Sequence, residues 1–397
     1  MSRRFALRFA LIAFGLYHVP LFLNDYPSFG GGGFRETGLA IDWGHIFGHV
    51  GVWVARLFGV TGEIPGAFGG DNGDSIEEYC RLLVAVVLAL AGAAAWTFAD
   101  RRRPRAEWVG EWLRILLRYS IALGLASYAV AKLYPVQFPP LDATQLDDRL
   151  GDTSGFGVLW RTMQYSRAYS LFGGLAELAV VLLLTFRRTA LLGALLCLPV
   201  MANVMLMNWC YGVPVKLFST LIVLSAATLV ALDGRRLLDV LVLHRATTAA
   251  PLAPPFRSAR WNQYRWAIKA ALVGGVLASS VYDMRRFVAE REASAPALAG
   301  TWDVTSPIAN WRRAAIGRRG VVIRLETGEA LACQATFDDP GRSVKLTCPE
   351  HAAALHWVRD GDTLRLDGTL DDKPLAATLR RRDDSKLPIN RGFQWFL

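Results

Sequence analysis

The sequence predicts an α-helical multi-spanning membrane protein with about seven transmembrane helices, followed by a small all-β sandwich or barrel domain. Two observations carry this prediction. Stretches of about 20 mostly apolar residues recur through roughly the first 290 positions. Short runs that alternate apolar and polar residues fill the last hundred or so. The predicted spans, seven or alternatively six in number, lie near residues 5–23, 81–99, 108–134, 166–186, 189–210, 214–232 and 266–282.

The positions of the arginines predict how the spans are oriented. Basic clusters and acidic residues fill alternate gaps between the apolar stretches, and short basic loops stay in the cytoplasm. The N-terminus is therefore predicted to be cytoplasmic and the C-terminal domain extracytoplasmic, in a bacterial cytoplasmic (inner) membrane. The net charge of +10 is then explained by topology beside a lipid bilayer, so no nucleic-acid partner is predicted. The basic clusters are Arg3–Arg4, Arg101–Arg105, Arg187–Arg188 and Arg235–Arg265.

Composition divides the chain into four predicted parts. Residues 1–107 hold the first two spans and an outer segment, in which 42–58 suits a helix lying in the membrane interface. The first span is predicted to be an uncleaved signal-anchor, because no clean cleavage site follows it. Residues 108–232 form a core of four spans. A basic cytoplasmic linker, the last span and a stalk occupy 233–296, and the β domain occupies 297–397.

Turn signals separate the predicted strands of the tail. The sequences ETGE, DDPG, RDGD and DGTLDD interrupt its apolar–polar alternation, as expected for a small antiparallel sheet. A G-x-W sequence, Gly300–Trp302, begins the first strand. Its tryptophan is predicted to close one end of the barrel, with Arg391 and Trp395 packed against it.

Two cysteines flank one of these turns. Cys333 and Cys348 lie at nearly equal distances on either side of Asp338–Arg342, which predicts that they approach one another on paired strands. Outside the cytoplasm, oxidising conditions favour a disulfide between them. Two buried free thiols are the alternative.

Ionisable and strongly polar residues inside the spans are the main candidates for a functional site, because such residues are costly in lipid. Glu177 lies near the middle of the fourth span, and Lys132 and Asn203 are its expected neighbours, with Lys132 about two turns shallower. The alternative is that the lysines reach the interface and that Glu177 is a neutral acid bonded to a neighbouring helix. The residues predicted to face one outward-opening pocket are Tyr128, Lys132, Glu177, Asn203, Asn208, Tyr211 and Lys216.

Arg118 is a further candidate at the opposite end of the third span. Glu107, Glu111, Arg114 and Arg118 share one helical face. The simple interpretation is a solvated entry turn. Arg118 lies about ten residues into the helix, deeper than snorkelling easily explains, and is therefore kept as a ligand-binding candidate.

Three histidines could form a metal site. His45 and His49 are four residues apart, and His18 lies at a similar predicted depth. Three imidazoles can hold zinc, copper or haem iron. Because histidines are common at membrane interfaces, this remains the weaker of the two predicted sites.

The four-span core resembles the DoxX-like family of membrane proteins. The resemblance rests on R-Y-S-x-A-x-G-x-x-x-Y-x-x-x-K at Arg118–Lys132, F-G-G-L-A-E-L-A at Phe172–Ala179, and M-A-N-V-M-x-M-N-W-C-Y-G-V-P-V-K at Met201–Lys216. Some DoxX-like proteins belong to thiosulfate:quinone oxidoreductases or other membrane redox complexes. More weakly, the tail resembles lipocalin-type β domains through Gly300–Trp302 and Arg391.

Three functional hypotheses follow. The first is a redox-linked role, implied by the resemblance, in which the pocket binds a quinone or similar amphiphile and Lys132 and Glu177 donate or relay a proton. The second is a non-enzymatic anchor that displays the β domain to an envelope partner. The third is a small-molecule transporter, favoured if a polar path connects Glu177 with Arg118. Whether the protein is an enzyme does not follow from the sequence.

Overall fold

Helices make up the first part of the chain and strands the last part in a computed structural model. The structure describes residues 3–24, 49–50, 52–54, 56–57, 59, 61, 74–100, 106–248, 258–306, 310–318 and 320–387. Within the predicted interfacial segment 42–58, the described residues 49, 50, 52–54, 56 and 57 are helical.

Every predicted span coincides with a helix. The described helices are α1 (Arg3–Asn24), α2 (Ile76–Ala99), α3 (Ala106–Leu133), α4 (Ala143–Asp147), α5 (Gly155–Tyr165), α6 (Arg167–Thr185), α7 (Ala190–Cys210), α8 (Lys216–Leu232), α9 (Gly234–Leu241), α10 (Ala259–Gln263), α11 (Arg265–Lys269) and α12 (Gly275–Ala293). A π-helical turn, Ala270–Gly274, joins α11 to α12. The predicted polar stalk, which begins at Arg285, is helical as far as Ala293.

Several of these helices are long and apolar enough to cross a membrane. Five of the described helical segments meet that description, and a sixth does if α8 and α9, which meet at a bend of 68°, count as one span. The helix α1 is 22 residues long but is not among these candidates, so the seventh span stays a prediction. The five are Glu78–Ala99, Trp108–Leu133, Arg167–Thr185, Ala190–Cys210 and Arg265–Ala293.

The chain forms two compact units. The helical unit comprises Met1–Phe138 and Arg167–Phe287, and the barrel unit comprises Pro139–Ser166 and Val288–Leu397. The barrel unit therefore includes the segment between α3 and α6, which the sequence-based division assigned to the membrane core. A capping box between Asp142 and Gln145 begins α4 in that segment.

The tail is a closed barrel of eight antiparallel strands, each paired with the next and the first with the last. Several of its turns contain residues with positive φ. Asp371 and Asp372 form a two-residue turn with φ of 50° and 61°, which suits the strand twist of a tight hairpin. The strands are β1 (Gly300–Val304), β2 (Trp311–Ile316), β3 (Gly320–Leu325), β4 (Ala330–Asp338), β5 (Ser343–Thr347), β6 (Ala352–Asp360), β7 (Thr363–Leu370) and β8 (Lys373–Arg381).

The barrel interior is a packed apolar core. Trp302 is fully buried in it, and its indole nitrogen donates to the Leu298 carbonyl at 2.9 Å. The Arg359 guanidinium lies over the Trp302 ring, 5.6 Å from its centre. The sequence analysis predicted this contact with Trp302 for Arg391 instead. Arg391 and Trp395 lie outside the described residues. An apolar cavity of about 20 Å³ remains inside, roughly enough for one water molecule, so the interior is a core and not a ligand pocket.

Gly368 permits the close pairing of β6 with β7. A Cβ atom at this position would lie 2.1 Å from the Ala354 carbonyl oxygen and 2.9 Å from the Leu355 Cα. The neighbouring atoms belong to the backbone, which cannot rotate away. The Asp-Gly pair at 367–368 therefore lies inside β7, and the turn of the DGTLDD sequence is formed by Asp371 and Asp372.

We expect Gly368→Ala to destabilise the barrel by about 3 kcal/mol, because the added methyl group forces β6 and β7 apart. Thr369→Ala is the matched control, since Thr369 is exposed on the same strand. Thermal unfolding followed by near-ultraviolet circular dichroism measures both variants. Equal unfolding temperatures for the two would contradict this account of Gly368.

Candidate functional site: a buried ion pair between two apolar helices

Two arginines hold α3 and α6 together from opposite ends. The Arg118 guanidinium donates to the carbonyls of Leu184 at 2.9 Å and Thr185 at 3.0 Å, in the last turn of α6. Arg167, at the start of α6, donates to the carbonyls of Lys132 at 2.7 Å and Leu133 in the last turn of α3. The last carbonyls of a helix lack partners within it, and cations there also favour the helix dipole. The two arginines are therefore reciprocal caps of an antiparallel pair.

Arg118 thus has a structural role that the sequence analysis missed. It is 4% exposed and lies 14 residues from Lys132 on α3, or about 21 Å along the axis. Arg118 is therefore far from the Lys132 group, as expected from its position in the span, and its role as a ligand-binding residue stays a prediction. Its depth, too great for snorkelling, is explained by the carbonyls that it caps.

The neighbouring charged residues of α3 have similar partners. Arg114 donates to the Asp233 carboxylate at 2.5 Å and to the Leu232 carbonyl at 3.0 Å, at the end of α8. Glu111 pairs with Arg187. The predicted solvated entry turn is therefore a set of contacts between helix ends; the side chain of Glu107 lies outside the described residues.

We expect Arg118→Gln to destabilise the helical unit by about 1–2 kcal/mol, because it removes a charged cap from the end of α6. Arg188→Gln is the matched control: Arg188 is exposed and only three residues beyond α6. Thermal unfolding in detergent compares the two. A larger loss for Arg188→Gln would refute the assignment of Arg118 as a cap.

Lys132 and Glu177 form a buried ion pair between the same two helices. The Lys132 ammonium donates to both Glu177 carboxylate oxygens, at 2.8 and 2.7 Å. The side chains are 7% and 2% exposed. The predicted neighbour relation of Lys132 and Glu177 is confirmed, and their side chains meet although the two positions differ in depth along the sequence.

The direction of the side chains explains how the pair closes. Side chains on a helix lean toward its N-terminus. Lys132 stands in the last turn of α3 and Glu177 about ten residues into the antiparallel α6, so the two side chains lean toward each other. Depth counted along the sequence uses backbone positions and misses this convergence.

A glycine allows the two backbones to approach at the ion pair. A Cβ atom on Gly174 would lie 2.9 Å from the Lys132 Cβ and 3.1 Å from the Ala129 carbonyl oxygen. Small residues permit such contact between helices in membranes. The F-G-G-L-A-E run therefore supplies both the close approach and the carboxylate.

Tyr128 completes this group. Its ring centre lies 5.8 Å from the Lys132 ammonium, which is within the range of a cation–π interaction. The same ring stacks on Phe218 of α8 at 5.6 Å. Tyr128, Lys132 and Glu177, which we call the ion-pair site, are the part of the predicted pocket that the structure brings together.

The other predicted pocket residues lie elsewhere. Asn208 is buried and donates to the Ser219 hydroxyl at 3.0 Å, which joins α7 to α8. Asn203 and Tyr211 are exposed, and Asn203 makes no hydrogen bond within the part of the chain that the structure describes. The described contacts of Asn208 are with α8 and not with Glu177, so a pocket shared by these residues and Glu177 stays a prediction.

Lys216 belongs to a separate cap. The Asp74 carboxylate accepts from the Lys216 and Leu217 backbone amides at 2.8 and 2.9 Å and from the Lys216 ammonium at 3.1 Å. Asp74 precedes α2, so it caps α8 from a distant part of the sequence. Lys216 is therefore held at the start of α8 and is not part of the ion-pair site.

None of the described residues supports the predicted histidine metal site. His18 is fully buried, and its Nε2 lies 3.2 Å from the Ser225 hydroxyl of α8. His49 is exposed, and His45 lies outside the described residues. Among the described residues, no three His, Cys, Asp or Glu side chains converge in a way that could hold a metal ion.

The predicted disulfide is confirmed. Cys333 on β4 and Cys348, which directly follows β5, are bonded. Gln334 and Thr347, the neighbours of the two cysteines, are paired across β4 and β5. The disulfide therefore joins these strands next to their last paired residues.

Within the barrel unit, Asp147 connects the segment Pro139–Ser166 to the strands of the barrel. Its carboxylate accepts from Arg313 and Arg324, each at 2.8 Å, and its carbonyl accepts from Arg324 at 2.5 Å. Burial alone raises the pKa of Asp147, but the hydrogen bonds from the two arginines outweigh it and lower the pKa below its usual value. The sequence analysis does not single out Asp147, since nothing local marks its distant partners.

The fold and these contacts define a class: a bundle of apolar helices joined to a closed eight-stranded barrel. The chain is 30% identical to "Uncharacterized protein YwoB" of Bacillus subtilis (strain 168) over 123 residues, which are 31% of this chain and 78% of that protein. With this identity and coverage, the chain belongs to the same family as YwoB. No family model matches the chain, and no solved structure matches it.

Proposed function

We propose that this protein is an integral membrane protein that binds a quinone or a similar amphiphile at the ion-pair site. The observation that carries the proposal is the Lys132–Glu177 pair, buried between two helices of spanning length. Ionisable groups in such helices are costly and are usually kept for function. The redox link and membership of the DoxX-like family are part of the same proposal.

The chemistry of the pair suits a ligand with a carbonyl or hydroxyl oxygen. A lysine ammonium has three N–H donors, and Glu177 accepts two of them. The third has no acceptor among the described residues, and could bind a ligand oxygen without breaking the pair. Glu177 could then exchange a proton with a ligand hydroxyl. A quinone would supply the electron-accepting ring, and a membrane redox partner would supply the electrons.

The proposed membrane is the bacterial cytoplasmic membrane, with the N-terminus in the cytoplasm and the barrel outside. Because Pro139–Ser166 and the tail form one unit, both must lie on the same side of the bilayer. This requires an even number of crossings between them. The helices α6 and α7, the bent pair α8–α9 and the last candidate span provide four. This agrees with the charge pattern, and the disulfide suits the outer compartment.

Binding of decylubiquinone in detergent tests the proposal, with quenching of tryptophan fluorescence as the readout. We expect the protein to bind it, and K132M/E177L to bind at least about tenfold more weakly because a charged hydrogen-bond donor is lost. Arg118→Gln is the control, as it removes a buried charge from the other end of the same helix pair. Equal binding by all three proteins would remove the proposal.

A second candidate is an anchor that displays the barrel to an envelope partner. It is favoured by the packed interior of the barrel and by the Asp147 contacts, which join the segment Pro139–Ser166 to the barrel. A packed interior leaves the outer surface of the barrel as the place where a partner could bind. A soluble fragment for this test should carry Pro139–Ser166 as well as the tail. Capture of a specific envelope protein by that fragment, undiminished by K132M/E177L in the full chain, would favour display over ligand binding.

The transporter hypothesis receives less support. Between Arg118 and the ion pair, the apolar residues Ile121 and Leu125 on α3 and Val180 and Leu184 on α6 are buried. The buried polar residues of this stretch of α3 are Ser120 and Ser127. A polar path from Glu177 to Arg118 would have to pass through this core.

A further inference from the structure

Two short segments near the end of the helical unit expose apolar and basic side chains together. The first begins with α9, directly after the 68° bend that ends α8, and continues to Arg245. On α9, Leu237, Leu238 and Leu241 share one face and the polar residues Arg235, Arg236 and Asp239 the other. An eight-residue helix with this pattern suits the plane of a membrane interface.

The apolar face of α9 is open and continues beyond the helix. Leu238, Leu241, Val242 and Leu243 are all exposed, and the segment ends in exposed His244 and Arg245. The exposed Arg235 has no partner among the described residues. Arg236 differs, because it pairs with Asp233 at 3.1 Å.

The second segment opens the last candidate span. Trp261, Tyr264 and Trp266 are exposed, Trp266 by 71%, and they alternate with the exposed Arg260 and Arg265. Tryptophan and tyrosine prefer the headgroup level of a bilayer. Basic residues beside them attract anionic lipids.

We propose that Arg235–Arg245 and Arg260–Trp266 form a lipid-binding collar that holds anionic phospholipid headgroups at the cytoplasmic surface. The occupant is a phospholipid and not a soluble anion, because each basic group stands beside an exposed apolar or aromatic side chain that would lie among acyl chains. The inference concerns a surface apart from the ion-pair site and does not depend on quinone binding.

Native mass spectrometry tests the collar, using the full chain released from nanodiscs that contain equal amounts of phosphatidylglycerol and phosphatidylcholine. We expect preferential retention of phosphatidylglycerol, weaker at high salt. In R235Q/R260Q/R265Q we expect the preference to fall roughly fivefold for each arginine removed. The matched control, R365Q/R380Q, removes exposed arginines from the barrel and should retain the preference.

Two results of the retention measurement would overturn the proposal. One is equal retention of both lipids by the unaltered protein, a measurement that needs no variant to fold. The other is an equal preference in the collar variant and in the barrel control. Displacement of phosphatidylglycerol by inorganic phosphate would also contradict it, since that would identify a site for a soluble anion.

Discussion

Replacing Glu177 by leucine is expected to destabilise the helical unit by about 3 kcal/mol, the largest effect among single substitutions in this unit. The change leaves the Lys132 ammonium, 7% exposed, without its counter-charge between two apolar helices. Thermal unfolding in detergent measures the loss. Asn203→Leu is the control, because Asn203 lies on an exposed side of α7.

The double variant K132M/E177L should recover most of that stability. Removing both charges replaces the pair by apolar side chains of similar size, which is often neutral or stabilising. The four proteins of this double-mutant cycle give the coupling between the two residues. A double variant no more stable than E177L would show that the pair is not the source of the loss.

Replacing Asp147 by alanine is expected to destabilise the barrel unit by about 3 kcal/mol, because Arg324 is nearly buried and loses its carboxylate partner. Limited proteolysis of the full chain is the measurement, with faster cleavage of Pro139–Ser166 as the expected result. Asp152→Ala is the control, since Asp152 is exposed in the same segment. Cleavage at the same rate in both variants would contradict the role of Asp147.

The stabilisation of the barrel unit by Asp147 should also decrease as the pH falls. The pKa of folded Asp147 is lowered from its ordinary value of 3.8, so ionised Asp147 favours the folded state. The stabilisation is fully present above about pH 5 and is lost as the pH falls through the lowered pKa. The difference between the unaltered protein and Asp147→Ala should therefore shrink in acid and stay constant near neutrality.

Local patterns predicted much of the fold. Apolar length located the long helices of the helical unit but not the short α9 and α10, and alternation located most strands of the barrel. The strand β2 was missed because Arg312 and Arg313 interrupt the apolar pattern; Arg313 is accommodated by Asp147 and Asp303. Symmetry about one turn was enough to predict the disulfide.

The candidate site was predicted only in part. The sequence gives the depth of a residue in a helix, but it does not show which neighbouring helix the side chain contacts. Lys132 and Glu177 were therefore grouped correctly, while Lys216 was grouped with them although it pairs with Asp74 at the start of α8. Contacts between distant segments, such as that of Asp147 with the barrel, leave no local signal in one sequence.

The charge-reversed variant K132E/E177K tests most directly whether the ion-pair site binds a ligand or only joins two helices. It keeps a pair of opposite charges between α3 and α6 but moves the ammonium to the other helix. Our account predicts that its unfolding temperature approaches that of the unaltered protein while decylubiquinone binding stays lost. Recovery of binding together with stability, or no binding by the unaltered protein, would contradict the account.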